Sequence, residues 1–325
     1  MLTADFDYHL PPHLIASEPL PDRSASRMMV VHRDTGLIQH RSFRDIRQFI
    51  NPGDLLVLND TRVVPARYFT DKGNEVLRLK AITPLRWQCM VRPGKKFRLG
   101  HECRIGATTG RVVEILSENG DRIIEWDQPV DEAAHGHLAL PHYMGRDDRP
   151  ADRERYQTIF AAQDGSIAAP TAGLHFTPDI LAPLPHAFVT LHVGVGTFQP
   201  VKAENIADHV MHREEYEVST ATADSIRAAR RVLCVGTTSL RTLESVAAEN
   251  DGRVVPARGS TGIFIYPGFQ FRVAGALLTN FHLPKSTLMM LVSAFAGRDL
   301  IFRAYAQAIQ ENYRFYSYGD CMLIV

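Results

Sequence analysis

The chain lacks paired cysteines: Cys89, Cys103, Cys234 and Cys321 are scattered through 325 residues, with no CxxC and no Cys/His set of zinc-ligand spacing. This argues against a structural metal and a disulfide framework, and for reduced thiols. Long apolar runs are also missing. The most apolar stretch, LMMLVSAFA (288–296), falls far short of the roughly 20 residues a membrane span needs. The N-terminus, MLTADFDYHLPPHLIA, has acids and prolines where an export signal needs a basic start and an unbroken apolar stretch. Together these read as a soluble, cytoplasmic protein. No GxxxxGK[ST] loop is present, which disfavours a phosphate-transfer enzyme, and HVGVG (192–196) is a poor substitute for a Gly-rich turn after an early strand.

Charge of one sign is absent overall, with 36 Lys and Arg against 36 Asp and Glu. A nucleic-acid partner would ordinarily show a basic excess. The distribution supplies one locally: between Thr61 and Arg111 lie Arg62, Arg67, Lys72, Arg78, Lys80, Arg86, Arg92, Lys95, Lys96, Arg98, Arg104 and Arg111, opposed only by Asp71, Glu75 and Glu102. Such a segment can supply sequence-independent attraction to phosphates, or simply be a set of solvated strand faces.

At 325 residues and 45% hydrophobic content, two domains are expected. The basic segment carries short alternating runs at EVLRLKAI (75–82), RWQCMV (86–91), RVVEIL (111–116) and RIIEW (122–126), the last two joined by the turn cluster SENGD. It reads as a small antiparallel β-barrel domain over 61–152, inserted between residues 1–60 and 153–325. The flanking parts alternate strands and helices in an α/β layout. FRDIRQFI (43–50) has helical spacing and LLVL (55–58) is apolar; AFVTLHV (187–193), VLCVG (232–236), ALLTNF (276–281) and CMLIV (321–325) read as strands. TATADSIRAARR (220–231), TTSLRTLESVAAE (237–249), STLMMLVSAFA (286–296) and DLIFRAYAQAIQENY (299–313) read as helices, and IFIYPGFQFRV (263–273) as a hairpin.

Four segments share one design, with small residues, hydroxyls and an ionisable group after a short apolar run: GSIAAPTAGLHF (165–176), TLHVGVGTFQP (190–200), VGTTSLRTLES (235–245) and LTNFHLPKST (278–287). Open α/β sheets place their sites at the carboxyl ends of strands, so the four loops are expected to converge on one pocket.

With LNPGDLLVLNDTRVVPAR (50–67), HVMHREEYEV (209–218), IFIYPGFQF (263–271) and YRFYSYGDCMLI (313–324), these segments resemble the S-adenosylmethionine:tRNA ribosyltransferase-isomerase family of queuosine biosynthesis nearly end to end. The segment LAPLPHAF (181–188) departs from it, being shorter than the family's charged helix and loop. The resemblance implies a large mixed α/β domain interrupted by a smaller β-barrel. It implies transfer, with isomerisation, of the ribosyl part of S-adenosylmethionine to 7-aminomethyl-7-deazaguanine at a tRNA wobble position. S-adenosylmethionine and the tRNA anticodon stem-loop are then the partners, and no added cofactor is needed. The competing classes are an S-adenosylmethionine-dependent RNA methyltransferase and a non-catalytic RNA-binding protein.

Ribosyl transfer needs a base for the acidic hydrogen beside the sulfonium, and groups that orient both substrates. His175 or His282 is the expected base or acid, each alternatively a hydrogen-bonded structural histidine. Glu214 or Glu215 is expected to recognise or deprotonate the aminomethyl group; solvated surface acids are the alternative. Arg241 shares a helix face with Glu244, and Thr237, Thr238 and Ser239 occupy the same helix's first turn, a site for a carboxylate or phosphate unless they form only a cap and a surface pair. Thr171, Gly173, His192, Gly194, Gly196, Thr197, Asn280 and Lys285 are further substrate-binding candidates. Arg62, Arg67, Arg92, Lys95 and Lys96 are the tRNA-binding candidates. Asn59 and Asp60 are hinge or site residues.

Overall fold

A computed structural model describes residues 1–117, 120–194, 196 and 201–325. The chain divides into two compact units. The first holds Met1–Arg62, His142–Gly145 and Glu154–Val325; the second holds Val63–Pro141 and Arg146–Arg153.

The first unit begins with strands β1 (Arg27–Val31), β2 (Ile38–Ser42) and β3 (Asp54–Asn59), and β4 (Thr61–Val63) leads out of it. The second unit is a six-stranded antiparallel sheet, nearly closed into a barrel. Its strands are β5 (Arg67–Phe69), β6 (Glu75–Thr83), β7 (Arg86–Arg92), β8 (Glu102–Ile105), β9 (Thr108–Ile115) and β10 (Arg122–Trp126), in spatial order β5-β6-β7-β10-β9-β8. Period-two burial along β7 and β8 sends Trp87, Cys89, Val91, Cys103 and Ile105 inward. Trp87 and Trp126 meet edge to face with centroids 5.1 Å apart, and Tyr68 lies 5.0 Å from Trp87. Such aromatic packing fills a small barrel that has little other core. The one-turn helices α1 (Glu132–His135) and α2 (Asp152–Arg155) follow. The SENGD turn includes Glu118 and Asn119, which lie outside the described residues.

Back in the first unit come β11 (Gln163–Ser166), α3 (Pro178–Leu181), β12 (His186–Leu191), β13 (Glu214–Val218), α4 (Thr220–Ala228), β14 (Arg231–Val235), α5 (Thr237–Glu249), β15 (Ala257–Thr261), β16 (Ala274–Asn280), α6 (Thr287–Ala296), α7 (Arg298–Gln310) and β17 (Cys321–Ile324). Nine strands form one mixed sheet in the order β15-β13-β12-β3-β14-β16-β17-β1-β2. The apolar runs of β3, β14 and β16 are buried on both faces. Leu55, Val57, Val232, Cys234 and Leu277 enter one core, and Leu56, Leu58, Leu233, Val235 and Leu278 the other. Continuous apolar runs are what a sheet covered on both sides demands.

Two local expectations are corrected. Phe43–Phe49 is a 3₁₀ rather than an α-helix, closed by a capping box between Ser42 and Asp45; its three-residue repeat buries Phe43 and Ile46 together. Residues 263–273 form no hairpin. Ile263, Phe264, Tyr266, Phe269 and Phe271 pack individually against the main core from an irregular segment, so their apolar content reflects anchoring rather than strand pairing.

Candidate functional site

Strands β3, β12, β14 and β16 run parallel, which places Asn59, Leu191, Val235 and Asn280 at one edge of the sheet. Strand β17 runs antiparallel to β16 and parallel to β1, so the starts of β1 and β17 reach that edge as well. The polar loops therefore share an edge, and named contacts link them. Ser166 Oγ accepts from Val193 N at 2.8 Å and lies 2.8 Å from Thr61 Oγ1, which is itself 2.8 Å from His192 Nδ1. Asn59 clamps the end of β12, donating to Leu191 O at 2.9 Å and accepting from Leu191 N at 3.0 Å. A methyl at Gly236 would stand 3.7 Å from Ala172 Cβ. The 165–176, 190–200, 235–245 and 278–287 segments thus converge where they are described.

His175 closes a short 3₁₀ turn, Thr171–His175, and is 3% exposed. Its Nδ1 lies 2.9 Å from Ser26 Oγ, just before β1, and its Nε2 has no hydrogen bond among the described residues. Burial lowers its pKa to about 4; the neighbouring Asn280 side chain opposes this slightly and the Arg314 guanidinium adds to it. A neutral imidazole whose other ring nitrogen is left to the Asn280 side chain can act as a proton acceptor. Asn280 donates Nδ2–H to Tyr316 O at 2.8 Å, while its buried Oδ1 has no partner among the described residues.

His282 is different. Its Nε2 sits 2.8 Å from Thr279 Oγ1, its backbone N–H donates to Tyr305 Oη at 2.9 Å, and its carbonyl accepts from Tyr8 Oη. Burial pushes its pKa down to about 3. These bonds tie the loop after β16 to α7 and to the N-terminal segment, a fastening role rather than an open site.

Helix α5 starts at Gly236, whose φ of +89° suits glycine, and no side chain caps it. Ser239 Oγ donates back to Val235 O at 3.0 Å, and the buried Thr238 Oγ1 has no partner among the described residues. Arg241 does not pair with Glu244, which removes the surface-pair alternative. Its Nη1 donates to Glu214 Oε2 at 2.5 Å, with both side chains under 10% exposed. Glu214 Oε1 accepts from Gly194 N at 3.0 Å. The Nε and Nη2 groups of Arg241 are buried without partners among the described residues. Glu244 turns instead to backbone, accepting from the N–H groups of Arg272, Val273 and Ala274 at 2.9, 3.0 and 2.9 Å.

Other candidates are dispersed. Glu215, next along β13, is exposed, as alternation from the buried Glu214 requires. Gly173 has Phe160 and Thr158 where a Cβ would go, and Gly196 has the His212 ring, so both positions are sterically closed to side chains. Thr197 lies outside the described residues. Lys285 pairs with Asp7 at 2.7 Å. Arg62 donates to Ala161 O at 2.7 Å. In the barrel unit, Arg67 is spent on Glu75 at 2.8 Å and Asp147 at 3.2 Å, whereas Arg92, Lys95 and Lys96 are exposed. What the residue types alone did not single out was Ser26, the partner of His175, 149 positions away in sequence.

An α/β unit with buried ionisable groups along its strand ends, interrupted by an antiparallel barrel unit, is an α/β enzyme with an inserted barrel. Residues 3–324 match the family model described as "Queuosine biosynthesis protein", and the chain belongs to that family. It is 50% identical to the S-adenosylmethionine:tRNA ribosyltransferase-isomerases of Solibacter usitatus and of Geobacter metallireducens, covering all of both chains in each case. The crystal structure of the S-adenosylmethionine tRNA ribosyltransferase from Thermotoga maritima is similar in fold, with TM-score 0.57 and 38% identity over 99% of this chain and 100% of that one.

Proposed function

We propose that the protein transfers and isomerises the ribosyl moiety of S-adenosylmethionine onto 7-aminomethyl-7-deazaguanine at the wobble position of a tRNA. The products are epoxyqueuosine-bearing tRNA, adenine and methionine. The observation that carries this reading is Arg241: a buried guanidinium with two nitrogens that have no partner among the described residues, in the second turn of α5 and beside a convergent set of polar loops. A buried donor left without an acceptor costs roughly 1–3 kcal/mol, so such a group is expected to meet an anion when the site is filled.

The methionine carboxylate of S-adenosylmethionine is assigned to Arg241 Nε and Nη2 and the first-turn N–H groups of Thr237, Thr238 and Ser239. The sulfonium acidifies the adjacent ribose C5′–H and makes methionine a good leaving group. His175 Nε2 takes that proton, held in orientation through Nδ1 by Ser26. Glu214 fixes Arg241 and the Gly194 turn, and acts through them rather than on the substrate. His192, Thr171 and Asn280 line the converging loops. The sulfonium nucleoside supplies the reactive chemistry itself, with no added cofactor. Exposed Arg92, Lys95 and Lys96 of the barrel unit attract the phosphates of the anticodon stem-loop.

Incubation with S-adenosylmethionine and tRNA carrying the aminomethyl base, followed by mass analysis, tests the reading. Free adenine plus methionine supports ribosyl transfer. S-adenosylhomocysteine would indicate methylation instead, and binding without turnover a scaffold.

A further inference from the structure

Along the face of β12 that carries His186, Phe188 and Thr190, the first unit contains a groove of about 430 Å³ lined also by Asp60, Glu217 and Arg258, with α4 along one side. Its floor follows from the strand register. Val189 pairs with Asn59, so the next step sets Thr190 beside Asp60; Thr190 pairs with Glu217, and Glu217 with Arg258. Directly paired residues share a face, so the four side chains form one polar row across four adjacent chain segments. Neighbouring strands lie about 4.8 Å apart, which puts Asp60 and Glu217 roughly 10 Å apart along this row.

Arg258 and Gln163 bring donors to the groove, whereas its hydroxyls do not. Its hydroxyl protons are committed to the protein: Thr190 donates to Asp60 Oδ1 at 2.7 Å, Thr222 to Phe188 O at 2.7 Å, Ser225 to Ala221 O at 2.8 Å and Ser219 to Thr222 Oγ1 at 3.0 Å. His186 Nδ1 lies 2.7 Å from Leu184 O, a carbonyl that can only accept, so Nδ1 donates there and only Nε2 is left to the groove. Asp60 is half-buried, and its pKa is raised by desolvation, with Thr190 and nearby charges as smaller influences. Glu217 Oε1 accepts from Arg258 Nη2 at 2.8 Å on the exposed side, a screened and exchangeable pair. The wall therefore offers two carboxylates about 10 Å apart, one beside the Arg258 guanidinium, with an aromatic surface from Phe188 and His186, whose rings meet edge to face at 5.3 Å.

We infer that this groove is the subsite for the unstacked acceptor base, with Asp60 accepting the N–H groups of its guanine-like edge and Glu217 facing its aminomethyl ammonium. The inference rests on the proposed function and names the place of its second substrate. A guanine-type edge and an ammonium at opposite ends of a flat ring match two carboxylates set apart along an aromatic wall. The base enters the groove at the cost of unstacking, and stacking on the aromatic wall offsets part of that cost.

The test uses the full-length protein with Glu217→Gln and Asp60→Asn, and two anticodon stem-loop RNAs carrying either guanine or 7-aminomethyl-7-deazaguanine at the wobble position. Wild type is expected to bind the aminomethyl RNA at least tenfold more tightly than the guanine RNA. Glu217→Gln, on an exposed side chain that leaves the core untouched, should reduce that preference to within threefold; Asp60→Asn should weaken both RNAs by tenfold or more. S-adenosylmethionine affinity should stay within twofold of wild type in both variants. Wild-type preference retained in Glu217→Gln, together with unchanged RNA affinity in Asp60→Asn, would overturn the subsite. If wild type itself yields no adenine from S-adenosylmethionine and aminomethyl RNA, the proposed function fails instead, so the two failures are distinct.

Discussion

Arg241 and Glu214 meet at 2.5 Å, and Glu214 simultaneously holds the Gly194 N–H, so one carboxylate couples the start of α5 to the turn after β12. The pair is buried on both sides, and removing one member of such a pair strands the other, at a cost of about 3–5 kcal/mol. Glu214→Ala is expected to lose stability on that scale in urea unfolding.

Arg241→Lys keeps the charge but not the planar fork. Two charge-assisted hydrogen bonds to the methionine carboxylate are then compromised, and each is worth about 1.5–3 kcal/mol. The KM for S-adenosylmethionine should rise by about ten- to a hundredfold while the KM for RNA stays near wild type. Unchanged S-adenosylmethionine affinity in a folded Arg241→Lys protein would remove the anion from this helix start.

His175 and His282 are both held neutral by burial, with pKa values lowered to about 4 and about 3 from an ordinary 6.5. The unfolded chain therefore binds protons near pH 6.5 that the folded chain refuses. Stability from these two groups is fully present above about pH 6.5 and is lost as pH falls toward 4 and below. Fully expressed, the shifts correspond to roughly 3 kcal/mol for His175 and roughly 5 kcal/mol for His282. Melting temperature measured from pH 7.5 to 4.5 should fall through this window, and His282→Gln should flatten the curve. For catalysis, His175→Ala should cost about 10²–10⁴ in adenine release, the range for a positioned base. Near-normal turnover in His175→Ala would remove it from the proton-transfer step.

Glu244 serves the fold. It is fully buried and accepts three consecutive backbone N–H groups at the entry to β16. Glu244→Gln presents an amide N–H₂ to some of these donors and should destabilise by roughly 1–3 kcal/mol in chemical denaturation. Activity per folded molecule at low temperature should stay within about threefold of wild type.

The barrel cations make a separate, salt-dependent prediction. Lys95 and Lys96 are exposed on a short 3₁₀ turn, Gly94–Lys96. Replacing both by Ala should weaken binding of stem-loop RNA about equally for different wobble bases. It should also shallow the dependence of log K on log salt by roughly 0.7–0.9 for each phosphate that is no longer neutralised. Arg67→Ala should act on barrel stability instead, because its guanidinium is committed to Glu75 and Asp147.

The fold was legible wherever pattern and environment agree. VLCVG and ALLTNF are apolar without interruption because β14 and β16 are covered on both faces, and the alternating barrel runs became β6, β7, β9 and β10. The segment 263–273 misled because aromatic anchors and strand residues have the same composition; only the backbone's partners distinguish them. At the site, the loops could be read but their cross-links could not. The helix spacing of Arg241 and Glu244 suggested a pair, yet three backbone donors hold Glu244, and a carboxylate 27 positions away in the chain claims Arg241. The groove was hidden for the same reason: the Asp60–Thr190–Glu217–Arg258 row exists only through strand register.

The most direct measurement is a single incubation of the purified protein with S-adenosylmethionine and tRNA bearing 7-aminomethyl-7-deazaguanine, with small molecules and nucleosides analysed by mass. The account predicts adenine and methionine in equal amounts, matched by epoxyqueuosine in the tRNA, in wild type, and a loss of all three in His175→Ala. Release of S-adenosylhomocysteine, or a tRNA left unchanged by the wild-type protein, would contradict it.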